Sequence, residues 1–157
     1  MKYSEYFEAL SEKAVTDTEL EELEKKLGFV FPEDYKAFLK ERNGVKVRSE
    51  CICSFPIRFC SEKREVLQGI FSMDRSVKDG CVQEYAEFYK DDICRGNRCR
   101  LVPIGISAFG SVIFIKESGK VILADFSLGF KSSLPFKCTY KIANSFTKFL
   151  ELLEFEG

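Results

Sequence analysis

Between residues 16 and 44 the chain carries start and stop signals for two short helices in immediate succession. Thr16-Asp17-Thr18-Glu19 fits a capping box, in which the threonine hydroxyl and the glutamate carboxylate each satisfy an unpaired N–H of the first turn. Leu20, Leu23 and Leu27 recur on one helical face, and Gly28 follows as a left-handed stop. Phe29-Val30-Phe31 forms a short extended link. Pro32 then suits a first helical turn, with Glu33 and Asp34 at the positive end of the helix dipole. Tyr35, Phe38 and Leu39 give this second helix its apolar face, and Arg42-Asn43-Gly44 ends it.

The remaining pattern alternates helix and strand. Tyr3, Phe7, Leu10 and Ala14 are spaced as a helical stripe, so residues 3–14 are expected to be helical. Cys51–Phe59 and Val66–Ser72 read as strands, and Pro56 marks an edge or a bulge in the first. Ser76-Val77-Lys78-Asp79 can cap a helix whose stripe is Val82, Tyr85, Ala86, Tyr89 and Ile93. Residues 94–100 read as a polar loop. Leu101–Ile106, Ser111–Lys116 and Lys120–Phe126 read as strands, the last two joined by a tight turn at Glu117-Ser118-Gly119. Residues 127–139 read as irregular. A closing helix is expected over 143–154, with Phe146, Phe149, Leu150 and Leu153 on one face. The sum is an α+β chain. One domain over 1–157 is expected, with a largely antiparallel or mixed sheet packed against the N-terminal helices, a middle helix and a C-terminal helix.

Composition narrows the chemistry. Histidine is absent, which removes the commonest general base and most familiar catalytic triads. The formal net charge is −1, so the chain as a whole does not seek polyanions. No run approaches the length that spans a bilayer, and charges interrupt the N-terminus where a signal peptide would be apolar. Seven cysteines, an odd number, then fit reduced thiols in the cytoplasm, with Cys81 and Cys138 expected as small buried hydrophobes.

The segment Leu20–Gly44 resembles the opening signature of the SUKH superfamily, the proteins similar to the fungal Smi/Knr cell-wall regulators. The matching positions are Leu23-Glu24, Leu27-Gly28, Pro32, Asp34, Tyr35, Phe38-Leu39 and Asn43-Gly44, in order and in spacing. Residues 101–125 resemble the family's central strands and residues 142–153 its closing helix. Together the three segments cover about half the chain. Three departures stand out, one of them that the middle third of the chain, with its cysteines, has no clear counterpart in the family. The chain has no tryptophan, and Ser107-Ala108-Phe109-Gly110-Ser111 replaces the family's usual acidic-glycine turn. The resemblance implies a binding module. Bacterial relatives commonly act as immunity proteins that bind and block a toxin domain; others are eukaryotic or viral regulators acting through protein contacts.

Four constellations bear on function. Cys51, Cys53, Cys94 and Cys99 could supply four thiolates to zinc, with Cys60 as a spare, although their spacing is not that of paired C-x2-C knuckles. Arg95, Arg98 and Arg100, with Lys90 nearby, could grip phosphates or an acidic partner, or could be a solvated loop. Glu84, Glu87, Asp91 and Asp92 lie at near-helical spacing, but nothing in the sequence would separate their pKa values for acid–base work. Residues 1–41 carry a net charge of −5, and the remainder +4. The early acids could therefore mimic phosphates in the cleft of a nuclease toxin, or could be an ordinary polar helix face.

The expectation is a non-catalytic, cytoplasmic protein, most simply a monomer, with no cofactor and no direct affinity for membrane or nucleic acid. Its partner would be a cognate toxin domain. The candidate contact residues are Glu21, Glu22, Glu24, Glu33, Asp34 and Phe109. A regulatory interaction scaffold is the alternative, followed by a cysteine-ligated zinc or nucleic-acid binder or a small enzyme.

Overall fold

The computed structural model describes residues 4–57, 60–124 and 139–157. Helix α1 runs over Asp17–Leu27 and α2 over Glu33–Glu41. The capping box is formed, with Glu19 N–H donating to Thr16 Oγ1 at 3.2 Å and Thr16 N–H donating to Glu19 Oε2 at 3.0 Å. Gly28 ends α1 in the left-handed region at φ 59°, and the N–H groups of Gly28 and Phe29 return to the carbonyls of Lys25 and Glu24. This paired return satisfies two of the last carbonyls of the helix.

Every N–H of the link between the helices has an acceptor. Gly28 and Phe29 use the end of α1, Val30 donates to Glu117 Oε1 at 3.1 Å, and Phe31 donates to Glu24 Oε2 at 2.8 Å. Pro32 has no N–H to place. A link whose donors are all spoken for holds α2 at a fixed angle to α1. Two ion pairs, Lys40 with Asp17 and Lys36 with Glu24, tie the helices along their length.

Strands β1 (Phe7–Ala9), β2 (Val45–Val47), β3 (Ile52–Ile57), β4 (Cys60–Ile70), β7 (Val102–Ser107), β8 (Val112–Ile115), β9 (Val121–Ala124), β10 (Thr139–Ala143) and β11 (Glu154–Glu156) form one sheet, and β5 (Cys94–Arg95) with β6 (Arg98–Cys99) forms a separate hairpin. The main path is β1-β2-β4-β7-β8-β9-β10, and β11-β3 branches from β4. Every strand pair among the described residues is antiparallel. β4 is the hub. Its first half pairs with β3 (Val66 opposite Ser54), and its last residues lie between β2 and β7 (Ile70 opposite Val45 and Gly105). β3 also lies against β10, so the sheet curls round helix α5 (Phe146–Glu151). β8 and β9 are buried at every position, which is why their sequences are uninterrupted apolar runs. The α+β architecture and the antiparallel sheet expected from the sequence hold.

Several local expectations do not. The stripe from Tyr3 to Ala14 is not a helix: Ser4–Tyr6 is a single 3-10 turn and Phe7–Ala9 is β1. Phe7 gains more from burial beneath Phe155, whose ring meets it edge-on at 5.4 Å, while Tyr6 stacks on the same ring at 4.5 Å. Tertiary packing overrides the local period. Ser76–Asp79 caps nothing, because the Asp74 carboxylate takes both Ser76 donors into a turn; α3 (Val82–Phe88) starts later, with Cys81 at its N-cap. The stripe from Val82 to Ile93 is divided at Tyr89 into α3 and α4 (Lys90–Ile93). The expected loop at 94–100 is the β5–β6 hairpin, turning at Gly96-Asn97. β4 begins earlier than expected, and the closing helix is shorter because residues 154–156 leave it to pair with β3. Pro56 does mark a bulge, between Pro56 and Ile57. The expected irregular segment 127–139 and Cys138 lie almost wholly outside the described residues, as does Phe59.

The core is threaded by a run of aromatic rings. Phe29, Phe31 and Tyr35 follow one another at 5.4 Å spacings, Tyr35 and Phe38 meet Phe146 at 5.2 and 5.1 Å, and Phe146 leads through Phe149 to Phe55 on β3. Each such contact is worth about 0.5–1.5 kcal/mol beyond its burial. Tyr35 is fully buried, and its hydroxyl meets no hydrogen-bond partner among the described residues. Desolvation holds its pKa far above the ordinary tyrosine value. Tyr35→Phe removes an orphaned polar atom and keeps the ring. Thermal denaturation of this variant is expected to show an unchanged or raised Tm, with a gain of up to about 1 kcal/mol; a clear loss would mean that the hydroxyl has a partner.

Candidate interaction surface

The acids of α1 and α2 fall into two groups. Glu24 and Asp34 turn inward. Glu24 accepts from Phe31 N–H and pairs with Lys36 at 3.6 Å. Asp34 Oδ2 accepts from both the N–H and the hydroxyl of Thr147, each at 2.9 Å. Thr147 lies in the first turn of α5, where Ser145 Oγ accepts from Lys148 N–H at 3.1 Å. One residue from the local chain and one from a distant helix therefore satisfy two of the exposed donors of α5. Glu21, Glu22 and Glu33 face solvent. Glu33 pairs with Lys36 at 3.2 Å, and Glu21 and Glu22 stand one turn before the exposed Lys25 and Lys26. The outer face of α1 is thus acidic at its start and basic at its end, the arrangement favoured by the helix dipole.

Phe109 is 73% exposed. It sits on the β7–β8 turn, which is stiffly held: Ser107 Oγ accepts from the N–H groups of Phe109 and Ser111, Gly110 takes φ 85°, and Ala108 N–H donates to Val66 O. Glu117 occupies the β8–β9 turn at the other end of β8, where it binds Val30 N–H and pairs with Arg98 at 3.0 Å. Phe109 and the α1–α2 link are therefore at opposite ends of β8, a strand of four residues or about 13 Å.

The candidate zinc thiols are not brought together. Cys51 and the buried Cys53 lie on and beside β3, whereas Cys94 and Cys99 face each other across the β5–β6 hairpin as a disulfide. Reduced thiols were expected there; direct register across a two-residue turn puts the two sulfurs within bonding reach. Burial pushes the Cys53 thiol up to about 12, so it is a protonated, unreactive group at neutral pH. Among the described residues no group of three or more His, Cys, Asp or Glu side chains is placed to hold a metal.

A feature that the sequence did not disclose is a groove of about 810 Å³ between the end of α1, α3 and the β5–β6 hairpin. Its position depends on Gly28, where a Cβ would stand 2.4 Å from Asn97 O, so the hairpin packs directly on the stop of α1. Leu23, Leu27 and Ala86 line the groove, and Phe88, 79% exposed, stands at its mouth. Lys25, Lys26, Arg75 and Lys90 border it, facing Glu84 and Glu87 on α3. Of these, the basic sequence cluster announced only Lys90; the other three cations come from α1 and from the turn after β4.

A family model for SMI1/KNR4 proteins (SUKH-1) matches residues 14–152. The chain belongs to this family. The matched span runs from the residues preceding α1 through α5, and so includes both punctuated helices, the Asp34–Thr147 clamp and every strand of the sheet among the described residues except β1 and β11. The SUKH-1 chain is also 28% identical over 149 residues to the SPbeta prophage-derived uncharacterized protein YokK of Bacillus subtilis (strain 168), an alignment covering 86% of this chain and 72% of that protein. No described helix is long and apolar enough to cross a membrane.

Arg75 owes its position to its neighbour. The Asp74 carboxylate accepts from the Ser11 hydroxyl at 2.7 Å, the Ser76 hydroxyl at 2.7 Å and Ser76 N–H at 3.0 Å, with the Lys13 ammonium at 3.4 Å. These contacts, the Ser11 hydroxyl foremost, hold its pKa well below the ordinary aspartate value. A depressed folded-state pKa stabilises the fold above the unfolded value, and that contribution fades as pH falls below it. The stability of wild type over Asp74→Asn, followed by denaturant titration, is therefore expected to be present at about pH 7 and to shrink as pH falls below about 4. A gap that stays constant with pH would contradict this.

Proposed function

We propose that this SUKH-1 protein is a non-catalytic binding module that acts in the cytoplasm as a monomer, and that its partner is a cognate toxin domain whose active site it covers. Membership of a family that includes immunity proteins supports the class of function. The observation that carries the mode of action is Phe109: a large apolar ring held 73% exposed on a turn whose backbone is fixed by Ser107 and Gly110. A solvent-exposed phenylalanine on a stiff turn contributes nothing to the core, yet loses little entropy on docking. Aromatic anchors of this kind, ringed by polar groups, carry most of the energy of typical interfaces.

Glu21, Glu22 and Glu33 would add charge steering toward a basic partner. Phe109 sits at the other end of β8 from the α1–α2 link beside Glu33, so a toxin touching both would lie along the length of that strand. Glu24 and Asp34, occupied within the fold, would contribute only by holding α2 and α5 in place. No proton transfer or bond cleavage by this chain is required; occlusion alone blocks the toxin.

Co-expression of this protein with a toxin encoded beside its gene is expected to rescue cell growth and to yield a co-purifying complex. Phe109→Ala should weaken that complex by about tenfold or more, in line with the loss of an interface anchor, with no change in Tm. Equal killing with and without the protein would contradict the immunity reading, and unchanged affinity in the variant would contradict the assignment of Phe109.

A further inference from the structure

We propose that the groove between α1, α3 and the β5–β6 hairpin is a second binding site, separate from the Phe109 surface, and that its occupant is an acidic polypeptide segment carrying an apolar side chain. Two properties select this chemistry. The first is charge. Lys25, Lys26, Arg75 and Lys90 all border the groove, and none of the four forms an ion pair among the described residues. Arg95, also exposed, lies on the adjoining hairpin. Gathering unpaired cations round a concavity in a chain of net charge −1 raises the local potential, and an anionic occupant relieves their mutual repulsion.

The second property is the apolar lining. Leu27 is only half-buried and Phe88 stands almost free at the groove mouth, so a strip of hydrocarbon lies between the cations. Carboxylates spaced along a peptide can meet the lysines and Arg75 while an intervening leucine or phenylalanine covers Leu27 and Phe88. A nucleic acid fits less well. Its continuous phosphates would run past Glu84 and Glu87 on the α3 wall, and no aromatic side chains alternate with the cations to stack bases. The groove is also preformed. Gly28 lets the hairpin seat against α1, the β5–β6 pairing closes the hairpin, and the Asp74 turn fixes Arg75. Little ordering is needed on binding.

The test is selection of short random peptides displayed on phage against the full chain. Enriched sequences are expected to be rich in Asp and Glu and to contain at least one Leu, Ile or Phe. A synthetic peptide of the enriched sequence should bind about tenfold more weakly to the double variant Lys26→Glu/Arg75→Glu, and more weakly as salt rises from about 50 to about 300 mM. Lys120→Glu, which reverses a charge away from the groove, should leave affinity unchanged, and an equal Tm for the double variant should show that its fold is kept. The proposal is overturned if no peptide is enriched, if enriched peptides are neutral or basic, if the double variant binds as wild type does, or if a single-stranded RNA displaces the peptide at lower concentration. Because no toxin enters this assay, its failure leaves the Phe109 reading standing, and the converse also holds.

Discussion

The fold depends on how α2 is fixed to α5. One carboxylate oxygen of Asp34, in the first turn of α2, receives two hydrogen bonds from Thr147 in the first turn of α5. Directly beneath, Tyr35 and Phe38 lie against Phe146. A charge-assisted bond at the rim and an aromatic cluster below act on the same pair of helices, so neither helix can slide without breaking both. The α1–α2 link extends this constraint outward: Glu24 and Glu117 between them take the N–H groups of Phe31 and Val30. The sheet, through Glu117, and α1, through Glu24, are thereby held to the same short segment.

This arrangement explains why the early part of the chain is readable and other parts are not. α1 and α2 announce themselves because each end carries its own local device: Thr16 with Glu19, Gly28, Pro32, and Asn43-Gly44. Even there the sequence shows only half the reason. Asn43 is more than a helix stop; it is buried, accepts from Ser72 Oγ and Met73 N–H, and donates to Lys13 O. Asp34 looks like a helix-dipole residue, yet its partner lies 113 residues away. β1, β2 and β11 are three residues each, too short to show a period of two, and exist because neighbouring strands supply their hydrogen bonds.

The candidate surfaces divide in the same way. Phe109 is legible because it follows an apolar strand and precedes a glycine, a position where a large ring has no core to enter. The early acids are legible as charges but not as partners: the stripe of Leu20, Leu23 and Leu27 puts Glu24 nearer the apolar face than Glu21 and Glu22, but nothing local names Phe31 N–H and Lys36 as what it meets. The groove is not legible at all. Its cations come from α1, from the turn at 74–76 and from α4, and only the folded chain places Lys26, Arg75 and Lys90 round one depression. The result is a scaffold whose interior uses acids as structural fasteners and whose exterior presents Phe109 at one turn and, elsewhere, a basic, apolar-lined recess with Phe88 at its mouth.

The coupling between Asp34 and Thr147 tests this account most directly. Denaturant unfolding of Asp34→Ala, Thr147→Ala and the double variant forms a closed cycle that isolates their interaction. The account predicts that each single change destabilises the fold and that the double change costs less than their sum, with a coupling of about 1–2 kcal/mol for a charge-assisted pair. Strictly additive effects would show that Asp34 does not fasten α5, and would return it to the outer, partner-facing set.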